Sequence, residues 1–201
     1  MIKTVKKIIS YIMVCVLFLS MCIPCEAAQT STATASDANA TTGFPQITST
    51  SAIIMDAQSG QIIYEKNSHT RQYPASITKI MTAYLAIKNG DLNSTITMSD
   101  AAVWGIDRNS SHIALDVGEE ISMSDALYAV MLMSANEAAW AIAEQVSGSL
   151  ENFVQLMNDT AQSLGCKDTH FTNANGLHDP DHYTTAYDMA LITKEALTSK
   201  T

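Results

Sequence analysis

Residues 73–82 are Tyr-Pro-Ala-Ser-Ile-Thr-Lys-Ile-Met-Thr and place a hydroxyl and an amine three positions apart at the expected start of a helix. Pro74 is unfavourable inside a helix and biases the residue before it toward extended backbone. The apolar residues that follow have helical spacing, so the helix is predicted to begin near Ala75 or Ser76. Residues at positions i and i+3 of a helix lie on one face, with Cβ atoms roughly 5–6 Å apart. The Lys79 amine can therefore reach the Ser76 hydroxyl.

This pair has the composition of an activated nucleophile. A serine hydroxyl is a weak nucleophile and needs a neighbouring base. For lysine to be that base near neutrality, its pKa must fall from about 10.4 by roughly 3 units, which corresponds to about 4 kcal/mol. Burial and the partial positive charge of a helix N-terminus both lower the pKa of an ammonium group. The sequence therefore predicts that Lys79 is enclosed with more than one polar partner, and that backbone N–H groups near Ser76 stabilise an oxyanion.

A second polar cluster, Ser134-Ala135-Asn136, lies between two strongly apolar helical segments, where polar groups need partners. One interpretation is a helix-to-helix turn in which serine or asparagine caps the next helix. The other is that the Ser134 hydroxyl passes protons between Lys79 and a leaving group, while the Asn136 amide binds Lys79 and a substrate carbonyl. The Ser-x-x-Lys pair is similarly ambiguous, because an ordinary capped helix with a solvated lysine has the same spacing.

The first 27 residues are typical of a secretory signal peptide, with three early lysines followed by an apolar run from Ile8 to Ile23. Small residues at alternate positions before residue 28 predict cleavage after Ala27, and an uncleaved membrane anchor is the alternative. Residues 28–43 are rich in Thr, Ser and Ala without apolar periodicity, which predicts a flexible linker or a disordered N-terminus. A catalytic domain is predicted over residues 44–201.

Charge and cysteine content narrow the class of protein. The signal segment contains three lysines and one glutamate, so its removal changes the formal net charge from −9 to −11. Such a chain, without a local basic patch, is not expected to bind nucleic acid or an anionic surface. Cys166 is the only cysteine after residue 27, so no intramolecular disulfide is possible and the exported fold must be stabilised by its core.

The remaining pattern predicts a mixed α/β (α+β) fold, a helical cluster with an antiparallel sheet. A hairpin is predicted from Ser51–Met55 and Gln61–Tyr64, and it needs further strands because two do not form a stable sheet. A short strand is predicted at Ile96–Met98. The first helix is predicted to end at Asn89-Gly90. Later helices are predicted from Ser99 to Trp104, from Ser122 toward Met133, from Glu137 to Ser147, from Leu150 to Leu164 and from Thr185 to about Leu197.

The positions of two groups of side chains can also be predicted. On the helix after Ser122, the spacing of Val130, Met131 and Met133 predicts that these residues fill the core.

In the loop from residue 178 to 184, the residues of metal-ligating type are His178, Asp179, Asp181 and His182. Pro180 prevents a helix from aligning them, so a surface or cleft-rim loop is predicted and no metal site.

The motifs Ser76-x-x-Lys79 and Ser134-x-Asn136, followed by Asn175-Gly176-Leu177, have the order and context found in low-molecular-mass penicillin-binding proteins. From about Phe44 to its end the chain resembles their serine-type D-alanyl-D-alanine carboxypeptidases. The resemblance implies a β-lactamase/D,D-peptidase-like transpeptidase fold whose sheet is incomplete in this chain. It implies neither a metal nor an organic cofactor.

The resemblance also implies a role for each motif residue. Ser76 would be the acyl-enzyme nucleophile and Lys79 its proton acceptor, with Ser134 as proton relay and Asn136 as a ligand of substrate and Lys79. The implied substrates are peptidoglycan stem peptides ending in D-Ala-D-Ala, and β-lactams, which imitate that dipeptide, would acylate the same serine. The implied location is extracytoplasmic, in the cell wall or at the outer face of the cytoplasmic membrane.

One departure from the family pattern concerns its third motif, Lys-Thr-Gly, which lies farther downstream than these 201 residues. Ser199-Lys200-Thr201 follows a predicted helix directly and has no glycine. The chain is therefore expected to be poorly active by itself, with any membrane association provided by that downstream part. Two alternatives stay open: a non-catalytic wall-binding or scaffolding homologue, which needs neither polar pair, and a β-lactamase-like hydrolase. For the latter, the sequence gives Glu137 no evident reason to hold a deacylating water.

Overall fold

A computed structural model describes residues 46–199, so the predicted signal peptide and linker lie outside the described part of the chain. None of the helices in this range is long and apolar enough to span a membrane. The elements, in chain order, are β1 (Ala52–Met55), β2 (Ile62–Lys66), a 3-10 turn (Ala75–Thr78), α1 (Lys79–Asn89), β3 (Thr95–Thr97), α2 (Asp100–Trp104), β4 (Glu120–Ser122), α3 (Met123–Met133), α4 (Asn136–Ser147), α5 (Leu150–Ser163) and α6 (Ala186–Ala196).

The predicted hairpin is present. Strands β1 and β2 are antiparallel, with Ala52 opposite Lys66 and an irregularity after Ile54. In the connecting turn, the Ser59 backbone N–H donates to the Asp56 carboxylate at 2.7 Å. Helix α6 packs against β1, but the hairpin gains no third strand from residues 46–199. Ile54 is accordingly half exposed.

A second antiparallel pair joins β3 to β4, with Ile96 opposite Ile121. The strand predicted at Ile96–Met98 is present one residue earlier. Its partner β4 was not predicted, because the three residues of Glu120–Ser122 are too short to show a strand periodicity. This pair is separate from the β1–β2 hairpin.

The alanine-rich helix α4 lies at the centre of the helical cluster. Ala138, Ala139, Ile142 and Ala143 are all completely buried. Helices α1, α3 and α5 all pack against it. Small side chains allow helix axes to approach closely, since interaxial distance depends on the residues at the contact. The N-terminal turns of α1 and α4, which carry the two polar motifs, are therefore fixed by a tightly packed core.

Helix α3 differs from its prediction at its C-terminal end. Met123, Ala126 and Val130 are buried, but Met131 and Met133 are 56% and 60% exposed. The prediction that these two methionines fill the core is wrong. Periodicity identifies the apolar face of a helix, but it does not tell how far along the helix its neighbours extend.

Side-chain caps define most helix starts. Ser99, Ser122 and Thr185 each accept a hydrogen bond from the backbone N–H three residues later, as predicted for α2, α3 and α6.

The first α-helix begins later than predicted. Residues 75–78 form a tighter 3-10 turn, and the α-helix proper begins at Lys79.

Candidate active site

Ser76 and Lys79 lie at the junction between the 3-10 turn and α1. Ala75, immediately before the serine, has a φ of +50°, a left-handed conformation that costs a non-glycine residue roughly 1–2 kcal/mol. Ser76 is exposed, whereas Thr78 and Lys79 are buried. The junction thus presents a hydroxyl to solvent and keeps the amine inside the protein.

The Lys79 amine has three polar neighbours from three parts of the chain. Nζ lies 2.7 Å from Asn136 Oδ1, 2.6 Å from the Asn175 backbone oxygen and 3.5 Å from Ser76 Oγ. The two carbonyl oxygens can only accept hydrogen bonds. In the neutral amine both N–H groups are therefore directed at these oxygens, and the lone pair is left to face Ser76 Oγ. The predicted enclosure of Lys79 by more than one polar partner is confirmed.

The surroundings of the Lys79 amine also lower its pKa, so that part of it is neutral near physiological pH. Burial lowers the pKa of Lys79 to about 8, and the negative charge of Glu137 opposes this change. At pH 7 roughly one tenth of the amine is then neutral, and at pH 8 about half. The pKa of Lys79 therefore falls by less than the predicted decrease of roughly 3 units, and it still leaves enough neutral amine to act as a base near neutrality.

Ser134 occupies the turn between α3 and α4, with a left-handed φ of +56°. Its Oγ lies 3.0 Å from Ser76 Oγ. The interpretation of this cluster as a simple helix cap is wrong, because Ala135 is the N-cap of α4 and no side chain caps that helix. The Ser134 hydroxyl contacts the Ser76 hydroxyl instead, which suits proton exchange between them.

The start of α4 also anchors the loop that precedes β4. Asn136 Nδ2 donates to Ser110 Oγ at 2.8 Å, and the Asn136 backbone N–H donates to the Ser111 carbonyl. Glu137 Oε1 accepts from the Ile113 N–H at 2.7 Å, while its Oε2 is buried without a partner among residues 46–199. This anchor could not be predicted from the sequence, because Ser110 lies in a loop without periodicity.

The segment around Asn175 closes the site opposite the 3-10 turn. Gly176 has a φ of +83°, and a Cβ atom there would lie 1.8 Å from the Ala75 carbonyl oxygen. Only glycine permits this approach. Thr82 Oγ1 fixes the same segment by donating to the Ala174 oxygen at 2.6 Å. The Asn175 carbonyl was missed from the sequence, because a backbone group has no residue signature.

The loop from residue 178 to 184 does not gather the four residues considered as metal ligands. His178 packs edge-on against Tyr73, whereas His182 is only 2% exposed and contacts Thr78. The prediction of a surface or cleft-rim loop is therefore wrong for His182, which can be buried because both of its ring nitrogens have partners. Among residues 46–199, no group of three or more His, Cys, Asp or Glu side chains is placed to hold a metal ion.

Residues 36–201 match the sequence profile of the D-alanyl-D-alanine carboxypeptidases, peptidase family S11. The chain is 43% identical over 156 residues to D-alanyl-D-alanine carboxypeptidase DacA of Haemophilus influenzae, which covers 74% of this chain and 39% of the relative. It is 41% identical over 150 residues to DacF of Bacillus subtilis, covering 73% of this chain and 38% of the relative. The chain therefore spans about two fifths of the length of these curated relatives.

The crystal structure of penicillin-binding protein 5 from Haemophilus influenzae superposes with a TM-score of 0.72 at 39% identity. The superposition covers 77% of this chain and 46% of the penicillin-binding protein 5 chain. This likeness confirms the predicted fold class, a β-lactamase/D,D-peptidase-like arrangement of helices and antiparallel strands. The chain belongs to the D-alanyl-D-alanine carboxypeptidase family, peptidase family S11.

Proposed function

We propose that the protein is a serine-type D-alanyl-D-alanine carboxypeptidase. It removes the terminal D-alanine from peptidoglycan stem peptides through an acyl-enzyme on Ser76. The observation that carries this proposal is the geometry of Lys79, whose amine uses two carbonyl acceptors and faces Ser76 Oγ at 3.5 Å. Membership of the family supports the substrate class.

In the acylation step, neutral Lys79 accepts the proton of the Ser76 hydroxyl while Ser76 Oγ bonds to the carbonyl carbon of the penultimate D-alanine. The peptide C–N bond then breaks. The departing amine of the terminal D-alanine takes a proton that Lys79 returns through the Ser134 hydroxyl, which lies 3.0 Å from Ser76 Oγ. The Asn136 amide is the proposed ligand of a substrate carbonyl.

In the deacylation step, water attacks the ester carbonyl and gives a proton to Lys79. The ester C–O bond breaks, and Ser76 Oγ regains its proton. A β-lactam forms the same ester when its ring amide bond opens, but the amine remains attached and no leaving group departs. Such a compound is therefore expected to label Ser76 for longer than a peptide does.

We also propose that the protein is exported. Its domain organisation would be a signal peptide over residues 1–27, a linker over residues 28–43 and the catalytic domain over residues 44–201, with the active site outside the cytoplasm. The basic start and apolar run of the first residues support this. The test is N-terminal sequencing of the protein recovered from outside the cytoplasm: a start at Ala28 is expected, and a retained Met1 would contradict the proposed cleavage.

The function is tested by treating the folded full-length protein with fluorescent penicillin and locating the label by mass spectrometry. Label is expected on Ser76, absent in Ser76→Ala and unchanged in Ser163→Ala, an exposed serine at the end of α5. Release of D-alanine from a peptide ending in D-Ala-D-Ala is measured alongside. A folded full-length protein that neither labels nor releases D-alanine is a non-catalytic homologue, and rapid repeated hydrolysis of penicillin indicates a β-lactamase.

A further inference from the structure

His182 has a single hydrogen-bonding arrangement that the structure allows. Its Nδ1 lies 3.0 Å from the Thr172 backbone N–H, and its Nε2 lies 2.8 Å from Thr78 Oγ1. A backbone N–H can only donate, so Nδ1 must be the unprotonated nitrogen of the ring. In the neutral ring Nε2 therefore carries the proton and donates it to the Thr78 hydroxyl.

The two partners of this ring belong to the two segments that enclose the Lys79 amine. Thr78 is the last residue of the 3-10 turn that carries Ser76 and is directly followed by Lys79. Thr172 begins the segment whose Asn175 carbonyl accepts from Lys79 Nζ. The buried ring of His182 therefore cross-links the nucleophile turn, through Nε2 and Thr78, to the segment that holds the base, through Nδ1 and Thr172.

The packing around His182 restricts movement of the ring. Its side chain is 2% exposed, and the Phe171 ring packs against it at a centroid distance of 5.6 Å. The His182 backbone N–H also donates to the Asp179 carbonyl. Neither ring nitrogen hydrogen-bonds to Ser76 Oγ or Lys79 Nζ, so no chemical step is assigned to the ring.

We propose that His182 is a positioning residue for the reaction of the proposed function, and that it acts through Thr78 and Thr172 on the Ser76–Lys79 pair. Its protonated Nε2 fixes the turn and its unprotonated Nδ1 fixes the Asn175 segment. Loss of either bond lets the two segments separate, which lengthens the contacts of the amine and admits water to it. This inference rests on the proposed function of the site.

The test compares His182→Leu with His182→Gln in the full chain, using the rate constant for acylation of Ser76 by penicillin as a function of pH. Glutamine can still accept from the Thr172 N–H and donate to Thr78, whereas leucine can do neither. His182→Leu is expected to acylate about 10- to 100-fold more slowly. It should also move the pH midpoint upward, because a more hydrated Lys79 binds its proton more tightly. His182→Gln should stay within about threefold of wild type.

Two further variants complete the design. Thr78→Val removes the hydroxyl alone and should reproduce the slow, shifted behaviour of His182→Leu, even if that variant does not fold. His69→Leu alters an exposed histidine against Tyr187 and should leave the rate and the midpoint unchanged. The shift in midpoint separates positioning from a general loss of stability, which lowers the amount of folded enzyme without moving that midpoint.

The inference is overturned if folded His182→Leu and Thr78→Val acylate with the rate and pH midpoint of wild type. It is also overturned if His182→Gln is as slow as His182→Leu, because shape and not hydrogen bonding would then be responsible. Failure of the proposed function is distinct from both results, because in that case the wild-type protein itself would not be labelled at Ser76.

Discussion

Lys79 Nζ lies 2.7 Å from Asn136 Oδ1, although the two residues are 57 positions apart in the chain. Replacement of Asn136 by aspartate keeps the shape of the side chain and places a negative charge beside the amine. The charge stabilises the ammonium form, so the pKa of Lys79 should rise above its value of about 8. Each unit of that rise reduces the neutral fraction at pH 7 about tenfold. Acylation by penicillin at neutral pH should therefore slow by about tenfold or more in Asn136→Asp.

The control for this variant is Asn152→Asp, which makes the same chemical change at an exposed position of α5. Its acylation rate should equal that of wild type from pH 6 to 10, as measured in parallel time courses. An unshifted pH midpoint in Asn136→Asp would show that the Lys79–Asn136 contact does not control the base.

The charge of Glu137 raises the pKa of Lys79 and so limits the effect of burial. Glu137→Gln removes that charge but retains an oxygen able to accept from the Ile113 N–H. The pKa of Lys79 should then fall further, and the pH midpoint of acylation should move downward by up to about one unit. Glu151→Gln, an exposed carboxylate on α5, is the matched control. A midpoint that moves upward, or not at all, would exclude the electrostatic role of Glu137.

Gly176 and Gly165 allow backbone conformation to be separated from steric contact. Both residues have a left-handed φ, +83° at Gly176 and +87° at Gly165. A Cβ atom added at Gly176 would lie 1.8 Å from the Ala75 oxygen, whereas one added at Gly165 would have no atom within 4 Å. Gly165→Ala should lower the free energy of unfolding by about 1–2 kcal/mol. Gly176→Ala should cost at least about 2 kcal/mol more and reduce penicillin labelling of Ser76. Equal unfolding free energies by urea titration would contradict the contact.

The pH dependence of stability should report on His182. Burial lowers the pKa of His182 to about 4; the charge of Asp179 opposes this decrease and His170 contributes to it. The unfolded chain, with a histidine pKa near 6.5, binds the proton more readily than the folded protein does. The free energy of unfolding should therefore decrease as pH falls from about 6.5 to 4, by up to about 3 kcal/mol from this residue.

Urea unfolding of wild type and His182→Gln at several pH values isolates that contribution. Glutamine does not titrate, so the stability of the variant should fall less than that of wild type over this range. If the two stabilities decline in parallel, His182 is not the residue responsible.

The fold was largely predictable from local chemistry. The starts of α2, α3 and α6 follow from Ser99, Ser122 and Thr185, whose hydroxyls bond to backbone groups three residues away. The Ser76–Lys79 contact follows equally from helical spacing. The pairing of β3 with β4 could not be predicted, because strands of three residues have too little pattern to identify a partner.

Within the site, the parts that could not be predicted depend on backbone groups or on long-range burial. The Asn175 oxygen accepts from Lys79, but any residue type could provide that carbonyl. His182 has a polar sequence context typical of a surface loop, and it is buried only because Thr78 and Thr172 satisfy its nitrogens. The exposure of Met131 and Met133 has the same origin, because it depends on where neighbouring helices end.

The three neighbours of the Lys79 amine come from the turn before α1, the start of α4 and the segment before α6. No single stretch of the polypeptide contains enough of them to generate reactivity, and a partly collapsed chain has a protonated lysine and an inert serine. The fraction of molecules that bind a β-lactam covalently would therefore equal the fraction that has completed folding. Such an antibiotic could be used to measure how much of a sample is correctly folded.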